Sequence, residues 1–248
     1  MPSPRARTAL VFLAAVAVVL ALLAVLVARG VLWPNRLLAA RYDVRGVDVS
    51  SHQGQIDWPT LAAQDVDFAY VKATEGSGFV DARFDDNLRG ARDSGLLVGA
   101  YHFFSFESPG RSQAERIFAT VPADDDLLPV AIDVEHYGTF LRHPPDPEAV
   151  RAELTTLVDL VREHDGVEPV IYATQAAYGR YVAGHFPGTP IWIRAVYTPP
   201  HLTGGGQWTF WQYSHRDRLD GYDGEEPYID VNVFDGDLDD LQELRAGR

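Results

Sequence analysis

The sequence of 248 residues contains no cysteine, one methionine and one lysine. The lack of cysteine excludes disulfide scaffolds, thiolate zinc sites, cysteine nucleophiles and lipid attachment at an N-terminal cysteine. Basic residues are also few, since 21 Lys and Arg stand against 35 Asp and Glu, for a formal net charge of −14. This acidity argues against a general polyanion binder, so no nucleic acid partner is expected. Because 46% of the residues are hydrophobic, general disorder is excluded as well.

The single lysine, Lys72, stands in a chain whose other twenty basic residues are arginines. Lysine presents a compact ammonium, whereas arginine presents a planar fork. A lysine kept at one position inside an apolar run therefore indicates that a compact cation is needed there, with chance as the alternative.

The N-terminal region departs from the acidic average, because residues 1–41 carry five arginines and no carboxylate. Every residue from Ala9 to Ala28 is apolar, and this run of 20 has the length of a membrane-spanning helix. A cleavable signal peptide has an apolar region of about 7–15 residues. The sequence therefore favours an uncleaved signal anchor over a signal peptide cut near Leu38-Ala39-Ala40, and over a buried core helix. Arg5 and Arg7 place the N-terminus in the cytoplasm by the positive-inside tendency.

We therefore predict a cytoplasmic N-terminus (residues 1–8), a transmembrane signal anchor (9–28), a linker (29–42) and one outer domain (43–248). Trp33 and Pro34 in the linker suit an interfacial position. This organisation predicts a single-pass membrane protein with its outer domain on the extracytoplasmic side, or a secreted protein if the N-terminal segment is cleaved.

Past Tyr42, short apolar runs alternate with amphipathic stretches, which is the pattern of β/α units around a parallel sheet. Eight strands are predicted: Gly46–Val49, Phe68–Lys72, Leu97–Phe103, Val130–Val134, Val170–Ala173, Ile191–Arg194, Thr209–Tyr213 and Ile229–Val233. Helices are predicted at Trp58–Ala63, Asp81–Ser94, Ser112–Thr120, Pro147–Glu163 and Gln175–Ala183. Pro- and Gly-rich loops separate the last three strands. The predicted α/β fold is a modified TIM-like (β/α)5(β)3 barrel, with an open doubly wound sheet as the alternative.

In a β/α barrel, functional residues lie at the C-terminal ends of the strands. Polar residues occupy those places in the predicted barrel: Asp48, Lys72, Glu75, His102, Asp133 and Glu135, with Asp230 inside the eighth strand. Carboxylates in apolar strands are costly to bury unless they are paired or catalytic. Their convergence predicts a site at one rim of the barrel.

Asp133-Val134-Glu135 is the sharpest local feature of the sequence. Residues two apart on an extended strand face the same side, with Cα atoms about 6.5 Å apart. Two carboxyl groups in one pocket suit glycosidic hydrolysis, in which one protonates the leaving oxygen while the other stays ionised near the anomeric centre. Aromatic side chains on the same strands are typical of a sugar-binding cleft.

Two other kinds of site remain open at this point. The carboxylates could form an oxygen-rich metal site, although no metal-ligand spacing such as His-x-x-x-His accompanies them. Ser50-Ser51-His52 places a hydroxyl beside an imidazole, but the sequence has no nucleophile elbow of the G-x-S-x-G type around it.

Taken together, the motifs resemble those of the family 25 glycoside hydrolases, the Chalaropsis-type lysozymes that act on bacterial peptidoglycan. The motifs that carry the resemblance occur in order and span nearly all of residues 45–236: Gly46–Gly54 with Ile56-Asp57-Trp58, Tyr70–Gly76, Gly99–Phe103, Asp133-Val134-Glu135, Ile171-Tyr172, Trp211–Ser214 and Asp230-Val231-Asn232. The resemblance implies a barrel of five β/α units followed by β-strands.

The resemblance also implies an N-acetylmuramidase that hydrolyses the β-1,4 bond between N-acetylmuramic acid and N-acetylglucosamine with retention, without a metal or cofactor. Glu135 would be the general acid/base, and Asp133 either the nucleophile or the group that orients the substrate's 2-acetamido group. Asp48 and Asp230 would be supporting carboxylates. Substrate contacts are expected from Lys72, Glu75, Tyr101, His102, Tyr172, Trp192 and Gln212. The expected partners are bacterial peptidoglycan glycan strands and, through the N-terminal helix, the bacterial membrane, with the protein itself a monomer.

One segment departs from the family pattern. Family members often have Trp-x-Ala-x-Tyr at the sixth strand, whereas here Arg194 follows Trp192 at the alanine position and Tyr197 is displaced by one residue. The shape of that side of the cleft is therefore expected to differ. Two hypotheses from other classes stand beside the muramidase: a non-catalytic peptidoglycan-binding scaffold, and a metal-dependent carbohydrate hydrolase such as a deacetylase.

Overall fold

The structure, a computed structural model, describes residues 4–28, 33–123 and 126–246. The first three residues of the predicted cytoplasmic segment and the first four of the predicted linker lie outside these ranges. Helix α1 (Pro4–Ala28) contains the predicted anchor, and its Arg7–Val27 window is long and apolar enough to cross a membrane, with none of it buried against the rest of the protein. A signal sequence near the N-terminus would meet the same criteria of length and composition.

All eight predicted strands are present in the described part of the chain. The observed strands are β1 (Arg45–Val49), β2 (Phe68–Glu75), β3 (Phe79–Val80), β4 (Leu97–Phe103), β5 (Leu128–Val134), β6 (Val170–Thr174), β7 (Ile191–Arg194), β8 (Phe210–Asp217) and β9 (Ile229–Phe234). The additional strand, β3, pairs with the end of β2. Its two residues are too few to show the alternation that identifies a strand in a sequence.

The sheet closes on itself, because β1 pairs in parallel with β2 and antiparallel with β9. Strands β1, β2 and β4–β8 are mutually parallel, whereas β9 runs antiparallel to both of its neighbours. The result is an eight-stranded barrel with β3 attached outside it. The predicted modified barrel is confirmed, and the open doubly wound sheet is wrong.

The helices follow α1 in the order α2 (Pro34–Ala39), α3 (Trp58–Ala62), α4 (Phe84–Asp93), α5 (Gly110–Thr120), α6 (Pro147–Asp165), α7 (Gln175–Ala177) and α8 (Leu238–Glu243). The predicted helix at Gln175–Ala183 changes after Ala177 into a π-turn at Tyr178–Val182. Helix α4 starts later than predicted because the Asp81 carboxylate accepts hydrogen bonds from the backbone N–H groups of Ser51 and Arg83, which fixes the chain outside the helix. Helices α2 and α8 were not predicted from the sequence.

Large aromatic side chains fill the inside of the barrel below the rim. Phe68, Tyr70, Trp192 and Phe210 are all buried there, and the ring centroids of Tyr70 and Trp192 are 4.9 Å apart. The neighbouring strands leave room for these rings by using glycine, since a Cβ at Gly46 would lie 2.4 Å from the Phe68 ring. These side chains fill the barrel interior and leave no channel through it, so a ligand can enter the barrel only at its rim.

Residues 33–42 form an N-terminal strap that packs on the barrel, whereas the sequence predicted a linker there. Trp33 Nε1 donates a hydrogen bond to the Tyr213 carbonyl oxygen (2.9 Å), and Asn35 Nδ2 donates to the Ala195 carbonyl oxygen (2.7 Å). Asn35 and Ala39 are buried, and Arg36 forms an ion pair with Asp217. Trp33 is therefore part of the folded domain and not an exposed interfacial residue. A six-residue helix is too short for its apolar periodicity to reveal this docking.

Candidate active site

A cavity of about 220 Å³ opens at the C-terminal rim of the parallel strands. Its lining contains the four carboxylates that were expected to be catalytic or supporting, together with four Tyr, Phe and Trp rings and a lysine. The lining residues are Asp48, Ser50, His52, Lys72, Tyr101, Phe103, Asp133, Glu135, Tyr172, Trp192 and Asp230. The barrel thus brings together residues from seven strands and from the segments that follow β1 and β5.

Asp230 reaches the rim because β9 runs against the other strands. It is the second residue of β9, and it lies directly opposite Asp48 in the antiparallel ladder between β1 and β9. The beginning of an antiparallel strand meets the C-terminal ends of its parallel neighbours. The sequence predicted Asp230 as a site residue without revealing this reversal.

Asp133 and Glu135 both line the cavity at the end of β5, while Val134 between them packs into the outer core. Asp133 is 9% exposed, and no described residue forms a hydrogen bond with its Oδ1 atom. Burial, with the added charges of Glu135 and Asp48, raises the pKa of Asp133 well above its ordinary value. Burial also raises the pKa of Glu135, opposed mainly by the nearby guanidinium of Arg194. Each acid is therefore favoured in its protonated form at a higher pH than a free carboxyl group.

Two relays of hydrogen bonds converge on the Oδ2 atom of Asp48. Trp192 Nε1 donates to Asn232 Oδ1 (2.9 Å), and Asn232 Nδ2 donates to Asp48 (2.8 Å). On the other side, Tyr172 OH donates to Gln212 Oε1 (3.1 Å), and Gln212 Nε2 donates to Asp48 (3.0 Å). An indole N–H can only donate, so it fixes the orientation of the Asn232 amide.

Asp48 and Asp230 form a carboxyl–carboxylate pair. Burial raises the pKa of both carboxyl groups. For Asp48 the hydrogen bonds from Asn232 and Gln212 favour the ionised form and offset part of this rise. The pKa of Asp230 stays well above its ordinary value, through burial and the neighbouring Asp48 charge. These directions favour Asp230 as the protonated member of the pair and Asp48 as the ionised one.

This pairing predicts opposite outcomes for two isosteric substitutions. We expect Asp48→Asn to lower kcat/KM roughly 100-fold, because it removes from the cavity the negative charge that the hydrogen bonds from Asn232 and Gln212 stabilise. Asp230→Asn keeps a donor toward Asp48, and we expect less than a tenfold loss. Initial rates of glycan cleavage, with thermal unfolding to check the fold, measure both effects. Equal losses in the two variants would contradict the assignment of the proton to Asp230.

Lys72 is the only lysine of the chain, and its ammonium lies at the cavity wall. Its Nζ atom is 2.7 Å from Glu75 Oε2 and 5.1 Å from the centre of the Phe103 ring. The positive charge lowers the pKa of Asp133 and of Glu135 against the effect of burial. A compact cation at this position thus helps to keep part of the carboxylate cluster ionised.

His102 was expected to contact substrate, but the structure places it outside the cavity. Tyr101 and Phe103 line the cavity, so the intervening side chain points outward toward α5, as alternation along β4 requires. His102 Nε2 is 3.0 Å from Gln113 Oε1 and its Nδ1 is 2.7 Å from Thr74 Oγ1. Burial lowers the pKa of His102 to about 4, so the neutral ring donates to Gln113 and accepts from Thr74.

Glu75 and Gln212 also lie outside the cavity lining. The Glu75 side chain is 43% exposed and is paired with Lys72. Gln212 is buried behind the wall, where it joins Tyr172 to Asp48. Both residues therefore act on groups that line the cavity, and neither lines it.

The structure adds lining residues that were not among the expected catalytic residues or substrate contacts. Ser50, His52 and Phe103 line the cavity itself, and Arg194 lines an adjoining one. Two-residue alternation from the inward-facing Trp192 places Arg194 on the inner face of β7, which is a signal the sequence does contain. Within the described ranges, no group of three or more His, Asp or Glu side chains is arranged to hold a metal ion.

A β/α barrel whose rim carries a pair of carboxyl groups with raised pKa values, beside aromatic rings, defines a barrel glycosidase. Comparisons with known proteins agree with this class. The family description "Glycosyl hydrolases family 25" matches residues 47–222. The chain is 34% identical over 215 residues to the uncharacterized protein YegX of Escherichia coli K12, covering 85% of this chain and 76% of that protein.

Two further proteins carry the same likeness. Lysozyme M1 of Streptomyces globisporus is 32% identical over 204 residues, covering 78% of this chain and 68% of that protein. A family 25 glycosyl hydrolase from Bacillus anthracis has a similar structure, with a TM-score of 0.79 and 46% identity over 84% of this chain and 95% of that one. The chain belongs to glycosyl hydrolase family 25 and is a glycoside hydrolase. The resemblance drawn from the motifs is confirmed, and the chain is an enzyme and not the non-catalytic scaffold that stood beside it as a hypothesis.

Proposed function

We propose that the protein is an N-acetylmuramidase that cleaves the β-1,4 bond between N-acetylmuramic acid and N-acetylglucosamine in peptidoglycan, with retention. The observation that carries this proposal is the joint placement of Asp133 and Glu135 in one rim cavity, both with raised pKa values. Membership of family 25 and the likeness to a lysozyme support the substrate class.

Glu135 is the general acid/base in this proposal. Its raised pKa keeps a proton available for the leaving oxygen, and the same group then accepts a proton from water. Asp133 lies deeper and has an oxygen without a hydrogen bond from any described residue. In its ionised form, which the charges of Lys72 and Arg194 favour against burial, Asp133 either attacks the anomeric carbon or accepts a hydrogen bond from the substrate's 2-acetamido group.

Product identification tests the proposed bond specificity. The full chain, purified in detergent, is incubated with purified peptidoglycan, and the new reducing ends are identified after borohydride reduction. We expect reduced N-acetylmuramic acid ends. New N-acetylglucosamine ends would instead indicate the other glycosidic bond of the polymer, and an absence of new reducing ends would overturn the proposal.

We further propose that α1 is a retained membrane anchor with the barrel on the extracytoplasmic side. The docked strap supports retention, since a cut near Leu38–Ala40 would separate Trp33 and Asn35 from the barrel they contact. Ala28 and Trp33 are five residues apart, which spans at most about 18 Å. Trp33 also packs on His215, which lines the cavity next to the catalytic one. The anchored domain would thus act on glycan close to the membrane surface.

Retention of the anchor predicts the mass of the mature protein. We expect protein extracted from membranes to have the intact mass of a chain that includes α1 and the strap. As a control, shortening the apolar run of 20 residues to about 12 should permit cleavage and release, because that length falls in the signal-peptide range. A soluble wild-type form that begins after Ala40 would contradict the anchor.

A further inference from the structure

Arg194 occupies the position where the sequence departs from the family pattern, and it ends β7 inside the mouth of the barrel. It lines a second cavity, of about 600 Å³, which shares Asp48, Tyr101 and Asp230 with the catalytic cavity. The two cavities are therefore parts of one groove that runs across the rim. Arg194 stands in the part of the groove that lies beside the carboxylates.

The guanidinium of Arg194 is partly buried, and it makes no hydrogen bond or ion pair with any residue of the described ranges. It nevertheless acts at longer range on all four carboxylates of the site, whose pKa values it lowers. A partly desolvated guanidinium without a direct partner is costly, and a buried cation is normally paired. Its planar set of donors matches a carboxylate in a two-point hydrogen bond.

A second arginine lines this cavity beside three acidic residues. Arg216 comes from β8, and the acidic side chains are Asp48 and Asp230 at the catalytic end and Glu226 on the far loop. His215 contributes no charge near neutral pH, because burial together with the two arginines lowers its pKa to about 4. The positive charge of this cavity is therefore confined to the two arginines, in a chain of net charge −14. An anionic group would bind there through direct contact with the Arg194 guanidinium and not through the field of the domain.

We propose that Arg194, supported by Arg216, forms a subsite that binds a carboxylate on the muramic side of the glycan and so selects the strand that the catalytic cavity cleaves. This inference rests on the proposed function, because muramic acid differs from glucosamine by its lactyl carboxyl group. The carboxylate has two sources. It belongs to the lactyl group in peptide-free glycan, and to the stem peptide where the lactyl group is amide-linked.

Matched substrates test the subsite. We compare kcat/KM for three substrates. The first is a peptide-free muramic acid oligosaccharide, the second is the same oligosaccharide with each carboxylate capped as a neutral methylamide, and the third is a peptide-bearing oligosaccharide. We expect the wild type to prefer a carboxylate-bearing form over the capped form roughly 10- to 100-fold, mainly through KM. Preference for the peptide-free form identifies the lactyl carboxylate, whereas preference for the peptide-bearing form identifies the stem peptide.

The variant Arg194→Gln should bring this ratio close to one while it still cleaves the capped substrate. Arg194→Lys keeps the charge without the fork and should give an intermediate ratio. Arg89→Gln removes a charge from the exposed face of α4 and should leave the ratio unchanged. Thermal unfolding of each variant checks the fold. Equal kcat/KM values of the wild type for capped and uncapped glycan would contradict the proposed subsite. A loss of kcat/KM by the same factor for every substrate in Arg194→Gln would contradict it as well.

A binding measurement separates this inference from the proposed function. In the Glu135→Gln background, calorimetry compares the affinities for the free and the capped muramic oligosaccharides. Tighter binding of the free form that disappears with Arg194→Gln supports the subsite even when no cleavage is measured. Equal binding of the two forms overturns the subsite, whatever the wild type cleaves.

Discussion

Glu135→Gln is expected to lower kcat for glycan cleavage about 1,000-fold, within the range that general acid–base catalysis contributes. The amide has nearly the same volume as the carboxyl group, so the cavity and the barrel remain intact. It has no proton acidic enough for the leaving oxygen and no base to activate water. KM should change little, because the loss affects the transition state more than the bound substrate.

The pH profile gives this prediction a second readout. Because burial raises the pKa of Glu135, the wild type keeps its catalytic proton above the pH at which a free carboxyl group loses it. Activity then falls on the basic side as Glu135 ionises. The residual activity of Glu135→Gln should lack that basic limb, since glutamine does not titrate.

Glu115→Gln is the matched control for this substitution. Glu115 is exposed on α5, outside the cavity lining, and its replacement removes the same charge from the chain. Initial rates of reducing-end release are measured across about pH 4 to 9. We expect the rates of the Glu115→Gln control to equal those of the wild type. A Glu135→Gln variant that kept more than a tenth of wild-type kcat would exclude Glu135 as the general acid.

The barrel itself is predictable from the sequence because its strands are buried apolar runs of ordinary length. Leu97–Phe103 and Ile191–Arg194 form with the predicted bounds. Closure of the sheet into a barrel could be inferred as the simplest arrangement of eight strands. The antiparallel direction of β9 could not be inferred. Antiparallel and parallel strands can have the same composition, and the reversal depends on the length and path of the Asp217–Pro227 loop.

The site was predictable where a residue's type and its position along the strand agree. Asp133 and Glu135 have both the chemistry and the shared face, and both line the cavity. His102 has suitable chemistry but lies one residue away from the inward-facing Tyr101. Applying the two-residue alternation to β4 would have placed it correctly.

Other features depend on contacts between distant parts of the chain and leave no local pattern. The hydrogen bond from Trp192 to Asn232 joins β7 to β9, and its effect on Asp48 appears only once the barrel is closed. The strap is similar, because Asn35 binds a carbonyl group 160 residues away. An asparagine in a short polar segment is interpreted as part of a linker when the carbonyl group that it binds is not known.

Asp133→Asn is expected to lower kcat about 100-fold or more, whichever of its two roles is correct, because an amide is neither a nucleophile nor a charge that orients the acetamido N–H. A stable thiazoline analogue of the cyclic intermediate separates the roles. Strong inhibition of the wild type, lost in Asp133→Asn, supports orientation of the acetamido group. Trapping of a covalent adduct on Asp133 supports the nucleophile.

The same substitution should stabilise the folded protein at neutral pH. The pKa of Asp133 is higher in the folded than in the unfolded chain, so the folded state binds this proton more tightly. The free energy of unfolding contributed by Asp133 is therefore present at acid pH and is lost as the pH rises through the raised folded pKa. Asparagine needs no proton to be neutral, so Asp133→Asn avoids this loss and its Tm should fall less between about pH 4 and 7.

Thermal unfolding across that pH range, with Asp93→Asn as the control, measures the effect. Asp93 is exposed at the end of α4, so its substitution removes one carboxyl group from the surface and leaves the barrel unchanged. A higher Tm together with a lower kcat in Asp133→Asn would mean that the fold tolerates a buried, incompletely hydrogen-bonded carboxyl group for the sake of catalysis. If the variant were instead less stable at every pH, the Asp133 carboxyl group would have to stabilise the barrel, and its raised pKa would not reflect an unfavourable burial.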